Sequence, residues 1–382
     1  MKHSVPFAAV MALAVLLVGC TQAPKELKVA ILAPLSGPAP TFGVLTRDGA
    51  LLAVDEWNAK GGVLGRKITT VLEDSQCAAD AAVNAANKVI NQDKVHFIIG
   101  EVCSGASIPV SEIANREKVI QITPASTNPS VTVDASGKTK PYIFRTVFID
   151  SYQGRVAANF AFTDLKAKKV FFLFDQGNDY SSGLTATFKA EFQKLGGKVA
   201  GEEGYTKTDS DFSAILAKVK ASGAEAVYLP DYYNIANLVT KQAKEKGITA
   251  AFIGSDGWES PDLDLKAADG AYFIGAFSKD DPRPEVAQFF KAYGEKYKDD
   301  QGKPVVPASQ AVVAYDAMNV LLEGIKEAGS DNTDKVKDAL AKIDYKAVCG
   351  HIVYDAQHNP QLGAIVVSIK NGKATFLSHV TI

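Results

Sequence analysis

The chain has 382 residues, with 41 Lys and Arg against 43 Asp and Glu, for a formal net charge of −2. Hydrophobic residues make up 47% and charged residues 22%, which excludes a disordered, collagen-like or repeat-array chain and suits a large core over about two domains. There is no basic excess to neutralise a phosphate backbone, so nucleic acid is disfavoured as a partner.

In chain order, the first twenty residues read as an export segment. Lys2 and His3 give a short basic start, and an apolar run from Val5 to Val18 follows, broken only by Pro6. The run falls short of the ~20 residues a bilayer crossing needs and fits the apolar region of a signal peptide. Its ending, Leu17-Val18-Gly19-Cys20, resembles a bacterial lipobox. That resemblance implies removal of residues 1–19 as a lipoprotein signal peptide and a diacylglyceryl group on the Cys20 sulfur. Residues 20–25 then form a short tether, and lipid without a membrane fold holds the protein at the envelope. An uncleaved anchor or an ordinary signal peptide is the alternative. An exported location permits disulfides. Cys77, Cys103 and Cys349 give one pair and one odd thiol as the simplest arithmetic, and the arithmetic does not choose the pair.

The remaining chain alternates strand-like and helix-like patterns. Leu27 to Leu32 is a buried strand; Ala50, Val54 and Trp57 recur at helical spacing until Gly61-Gly62. Val71 to Glu73 is a strand, Ala79 to Ile90 a helix and Val95 to Ile99 a strand ending at Gly100. A helix from Ile108 to Arg116 and a strand from Val119 to Ile122 complete the first series. A second series begins near Arg145, with strands at Val170 to Phe174, Ala226 to Leu229 and Ala250 to Ile253. Helices lie at Ser181 to Leu195, Phe212 to Ala221 and Ile235 to Glu245. Helices at Pro284 to Tyr297, Ser309 to Ala328 and Thr333 to Ile343, then strands at Ile365 to Ile369 and Thr375 to Leu377, close the chain. Repeated βα order implies parallel strands with covering helices. No low-complexity linker separates the two series, which suits two lobes joined by several crossings.

In open parallel sheets ligands bind beyond the carboxyl ends of the strands. The loops there are rich in Ser, Thr, Tyr, Gly and Asp and poor in His, Lys and Arg. In Gly100 to Pro109, small hydroxyl residues precede a helix, whose free N–H groups suit a carboxylate held beside Ser104; Ser107 reads as a helix cap. In Thr123 to Pro129, two prolines restrict a loop offering the Ala125 carbonyl and the Thr127 hydroxyl. In Gly254 to Trp258, Asp256 is placed to accept from an ammonium group, and Tyr180, Tyr232 and Tyr233 are candidate ring walls. His96, inside a strand, reads as structural. No His or Cys pair has metal-ligand spacing, no Walker loop or GxGxxG is present, and Cys103-Ser104 has no nearby His in sequence. Neither catalysis nor a cofactor is expected.

Several segments together are similar to the leucine/isoleucine/valine-binding proteins of bacterial ABC transporters, of the type I periplasmic-binding-protein family. They are Lys28 to Leu32 with Pro34 to Pro38, Asp55 to Gly62, Asp74 to Cys77, Ile99-Gly100 with Cys103-Ser104, Ile122 to Ala125, and Phe144-Arg145-Thr146. The resemblance covers nearly all of residues 27–382. It implies an α/β fold of two Rossmann-like lobes with parallel sheets joined by three hinge crossings. Lobe 1 would be 26–145 with 277–348, and lobe 2 would be 146–276 with 349–382. Ser104 and Thr127 would bind a ligand α-carboxylate, assisted by the backbone of Val102 and Ala125. Asp256 would take the α-ammonium, Tyr180 and Tyr232 would close over the ligand, and Phe42 would line the side-chain pocket. Cys77–Cys103 matches the family disulfide. Asp256 is one methylene shorter than the family's alternative Glu, and Trp258 adds a bulky ring close by.

The resulting expectation is a monomeric extracytoplasmic lipoprotein without enzymatic activity. It would bind a branched-chain or other aliphatic amino acid between its lobes and deliver it to ABC permease subunits. The same fold binding an amide, a short acid or an aromatic amino acid, for uptake or sensing, is the alternative. An exported α/β enzyme would need a nucleophile, a base and an electrostatic stabiliser within reach of one another.

Overall fold

The segment β1 (Leu27–Ala33) carries LKVAILA with only one exposed position. A strand buried on both faces belongs in the middle of a helix-covered parallel sheet. The computed structural model describes residues 26–380; the expected signal segment, the tether and Cys20 lie outside the described residues. The first lobe's elements follow as α1 (Pro40–Ala59), β2 (Ile68–Asp74), α2 (Ala79–Asn91), β3 (Phe97–Gly100), α3 (Ser104–Arg116), β4 (Ile120–Thr123) and β5 (Ile143–Arg145). Their strands form a five-stranded, all-parallel sheet in the order β2-β1-β3-β4-β5. Chain order reverses direction around β1, and such a switch opens a crevice at the strands' carboxyl ends.

The chain then crosses into α4 (Asp150–Asn159), which a π turn over Phe160–Asp164 prolongs. Next come β6 (Lys169–Asp175), α5 (Asp179–Lys194), β7 (Lys198–Tyr205), α6 (Ser213–Ser222), β8 (Ala226–Tyr228), α7 (Tyr233–Glu245), β9 (Ala251–Gly254) and β10 (Tyr272–Gly275). It returns through α8 (Pro284–Lys296), α9 (Ser309–Ala328), α10 (Thr333–Leu340) and the hairpin β11 (Asp344–Lys346) and β12 (His351–Val353). It ends with β13 (Ala364–Lys370) and β14 (Lys373–Val380). The second sheet has seven strands in the order β14-β13-β10-β9-β8-β6-β7. Only β13 and β14 run antiparallel to their neighbours.

Helix α9 buries 15 of its 20 residues, Asp316 and Asn319 among them, so it is a core helix rather than a surface one. It lies along α1, where the Trp57 indole donates to Asn319 Oδ1 at 2.8 Å and the Tyr315 hydroxyl donates to Glu56 at 2.7 Å. The third crossing falls later than the expected 348/349 boundary. After Cys349 the chain still pairs as β12 with β11, and His358 stacks on Phe144 and contacts the Ile143 carbonyl. It joins the second sheet only at β13.

Several expectations differ from the structure. Helix α3 starts at Ser104, four residues before the expected start, so Ser107 is no cap. It is buried inside the helix, its hydroxyl 2.5 Å from that of Ser126. His96 is exposed and precedes β3. Strands β5, β7, β10, β11 and β12 and helix α4 lie outside the elements that the sequence pattern predicts. The Cys77–Cys103 disulfide is present, with Cα atoms 5.4 Å apart, and Cys349 is free and half-buried.

Candidate functional site

Six parallel strands deliver the site from their carboxyl ends. Phe42 follows β1; Val102 and Ser104 follow β3; Ala125 follows β4. From the other sheet, Tyr180 follows β6, Tyr232 follows β8, and Asp256 with Gly257 follow β9. These residues and Gln310, near the start of α9, line one narrow pocket that is closed down to a cavity of about 20 Å³. That is far below the roughly 300–1,000 Å³ of ligand sites, so seating a ligand requires the lobes to part further. The lobes are closed over it. Phe42 packs edge-on against Tyr232 and Tyr233, with centroids 5.9 and 5.1 Å away. Asn128 Nδ2 donates to the Asp179 carbonyl at 2.9 Å, and the Thr41 hydroxyl donates to Asp262.

One end of the pocket carries a helix N-terminus. Ser104 is the first residue of α3, where backbone N–H groups have no intrahelical acceptor and the helix dipole is positive. Its hydroxyl accepts from Asn128 N–H at 3.3 Å, which ties α3 to the loop after β4. Arg145, fully buried in the first crossing, holds that loop: Nη1 donates to the Ser126 carbonyl at 2.8 Å and Nη2 to the Asn128 carbonyl at 2.9 Å. Burial pushes the Arg145 guanidinium down to about 10, and the Asp150 charge opposes that shift.

The other end is acidic. Asp256 Oδ1 accepts from the Tyr180 hydroxyl at 2.5 Å and from Gln153 Nε2 at 2.9 Å. Asp256 N–H donates back to Gln153 Oε1 at 2.9 Å. The Tyr180 hydroxyl also accepts from Gly257 N–H at 2.9 Å. Both of these contacts leave Asp256 Oδ2 unengaged by Tyr180 and Gln153. Burial raises the Asp256 carboxyl above its ordinary range, while the Tyr180 and Gln153 hydrogen bonds pull it back. Burial also pushes Glu101 up to about 7, against hydrogen bonds from Ser75 and the backbone at Val102 and Cys103. The rings of Tyr180 and Tyr232 are stacked, with centroids 5.2 Å apart and 5° between planes. They form one wall of an otherwise apolar chamber with Phe42, Val102 and Ala125.

The structure therefore brings Phe42, Val102, Ser104, Ala125, Tyr180, Tyr232 and Asp256 together around one pocket. Thr127 is fully buried behind it and does not line it. Trp258 points away: its ring is fully buried and its indole N–H donates to the Leu229 carbonyl at 3.0 Å, so it leaves the pocket unchanged. Sequence reasoning missed Gln153, because α4 itself was missed, and Gln310, the second residue of α9. Gln310 Oε1 is buried without a hydrogen-bond partner among the described residues. No group of three or more His, Cys, Asp or Glu among the described residues is placed to hold a metal ion, and no described helix is long and apolar enough to cross a membrane.

A family model described as periplasmic binding protein matches residues 26–374. The chain belongs to the periplasmic binding protein family. Among relatives of this binding protein, the leucine-, isoleucine-, valine-, threonine-, and alanine-binding protein of Pseudomonas aeruginosa is 34% identical over 340 residues, 88% of this chain and 87% of the relative. Two solved structures superpose with TM-scores of 0.85. One is a leucine-binding protein of Thermotoga maritima, 33% identical, with 93% of this chain and 98% of that chain covered. The other is a branched-chain amino acid transporter substrate-binding protein of Streptococcus pneumoniae in complex with isoleucine, 30% identical, covering 93% and 99%. The fold is thus that of the type I periplasmic binding proteins, in agreement with the expectation.

Proposed function

We propose that this protein is the substrate-binding component of an ABC importer that holds an aliphatic amino acid such as leucine, isoleucine or valine between its lobes. The observation that carries the reading is the polarity of the pocket. Ser104 and the α3 N-terminus stand at one end and Asp256 at the other, with apolar and aromatic walls between. A zwitterion with an apolar side chain matches this order of charges, since carboxylates are favoured at helix N-termini and ammonium groups at a carboxylate. Ser104, Thr127 and the backbone at Val102 and Ala125 would take the carboxylate end. Asp256 would take the ammonium, Tyr180 and Tyr232 would close over the ligand, and Phe42 would pack on its side chain. The names of the relatives support this ligand class. Lobe 1 would comprise 26–145 and about 277–360, lobe 2 the remainder of the described chain. Lipid on Cys20 would keep the protein near its permease.

Titration calorimetry tests the reading, on protein unfolded and refolded to strip carried-over ligand, against Leu, Ile, Val, Ala, Phe, Glu, Lys, γ-aminobutyrate, acetamide and urea. One-to-one binding of a branched-chain amino acid tighter than ~10 μM, about −7 kcal/mol, is expected. Binding of amides alone would remove the roles given to Asp256 and Thr127.

A further inference from the structure

Gln310 lines the pocket and is 6% exposed. Its amide oxygen is buried with no hydrogen-bond partner among the described residues. By contrast, Ser104, Tyr180 and Asp256 in the same pocket each have partners inside the protein.

The helices that carry Gln310 and Phe42 lie against each other. Glu56 of α1 meets Tyr315 of α9, and Trp57 meets Asn319, so the two helices run in the same direction. Nearer the cleft they touch, since a Cβ on Gly49 would lie 2.0 Å from the Ala311 carbonyl oxygen. Phe42 stands in the first turn of α1 and Gln310 in the first turn of α9. The two side chains therefore share one wall, the wall assigned above to the ligand side chain. The ends assigned to the ligand's charged groups come from other elements, α3 with the loop after β4 and the loop after β9.

A buried amide oxygen without a donor is unfavourable. A hydrocarbon side chain seated against it leaves it unpaired. A hydroxyl in place of one methyl donates to the oxygen and can also accept from the amide N–H, so it suits either face of the amide; a methyl does neither.

We infer that Gln310 sets the side-chain specificity of this site, and that the preferred ligand is a short aliphatic amino acid bearing a side-chain hydroxyl. The inference rests on the amino-acid reading above and narrows it. The ligand hydroxyl donates to Gln310 Oε1, while Phe42 packs on the carbon skeleton. A site that hydrogen-bonds a ligand hydroxyl rejects the isostere lacking it, because its own polar group is then left unpaired.

The test is calorimetry on the purified full chain, stripped of carried-over ligand, with L-valine, L-threonine and L-allo-threonine. The last two replace one or the other methyl of valine by a hydroxyl at nearly constant shape. At least one of them should bind about tenfold tighter than valine. Gln310→Met keeps the length of the side chain and removes its amide, and should bring valine level with that ligand or ahead of it. Gln310→Leu is the second variant, for the case in which Gln310→Met does not fold, with the same expectation. Valine binding as tightly as both hydroxylated ligands in the wild type overturns the inference and leaves the amino-acid reading intact. So does a preference for the hydroxyl that survives in the variant. A wild-type protein that binds none of the three, nor leucine, overturns both.

Discussion

Asp256→Asn isolates the charge of the site from its shape. In the protein Oδ1 accepts from both Tyr180 and Gln153. Two donors hold the amide oxygen of the variant in that same place. The new NH₂ must then occupy the Oδ2 position and point at the ligand ammonium. A charge-assisted hydrogen bond contributes about 2–3 kcal/mol, so its loss predicts roughly 30- to 150-fold weaker leucine binding. Stability should move the other way. The raised Asp256 carboxyl marks a charge that the fold holds at a disadvantage, and the neutral isostere relieves it. Calorimetry gives the affinity, and urea unfolding without ligand gives the stability. A Kd within about threefold of wild type would refute the ammonium role. Affinity and stability falling together would show that the variant merely damages the fold.

Three further outcomes follow from the same geometry. The ligand-free protein should melt at a higher temperature at pH 5 than at pH 8. Burial raises Glu101 and Asp231 to about 7 and Asp150 to about 8, so the native state binds more protons than the unfolded chain between ~4 and those values. Stability then falls by up to ~1.4 kcal/mol per pH unit for each such group, and a flat or rising melting temperature would contradict this. Arg145→Met should destabilise by ~3–5 kcal/mol in urea unfolding and weaken leucine binding, because the buried carbonyls of Ser126 and Asn128 lose their donor; unchanged affinity would remove its hold on the loop. Opening the Cys77–Cys103 disulfide by Cys77→Ser with Cys103→Ser releases a sequence separation of 26. The expected loss is about 3.5 kcal/mol in the chain-entropy picture, and a loss below ~1 kcal/mol would place the stabilisation elsewhere.

Most of the parallel framework was legible because its strands are short apolar runs and its helices recur at helical spacing. Two of the elements that escaped, α4 and β7, carry glycines that look like breakers and are in fact points of close approach. In α4, a Cβ on Gly154 would lie 2.8 Å from Thr187 Cβ of α5; the glycine lets two helices touch. In β7, a Cβ on Gly201 would lie 2.4 Å from the Phe171 ring, so the glycine accommodates an aromatic on the neighbouring strand. The loops after β3, β4 and β9 pointed to Ser104, Ala125 and Asp256 because carboxyl ends of parallel strands collect ligand contacts. Gln153 was invisible for the same reason as α4. Gln310 gave no signal, because an amide in the first turn of a helix reads as surface until the lobes are folded together.

The pocket's two polar ends come from different sheets: Ser104 with α3 stands on one, Asp256 with Tyr180 on the other. A ligand gripped this way is bivalently chelated, and each half-grip is weak until the second becomes intramolecular. Parting the lobes by a few ångströms removes that effective-concentration advantage without touching any contact of the half that keeps the ligand. Unloading therefore requires no competitor for the pocket and no chemical step. A membrane partner that stabilises the parted state would turn tight capture into release, with the discarded chelate advantage setting the size of the drop in affinity.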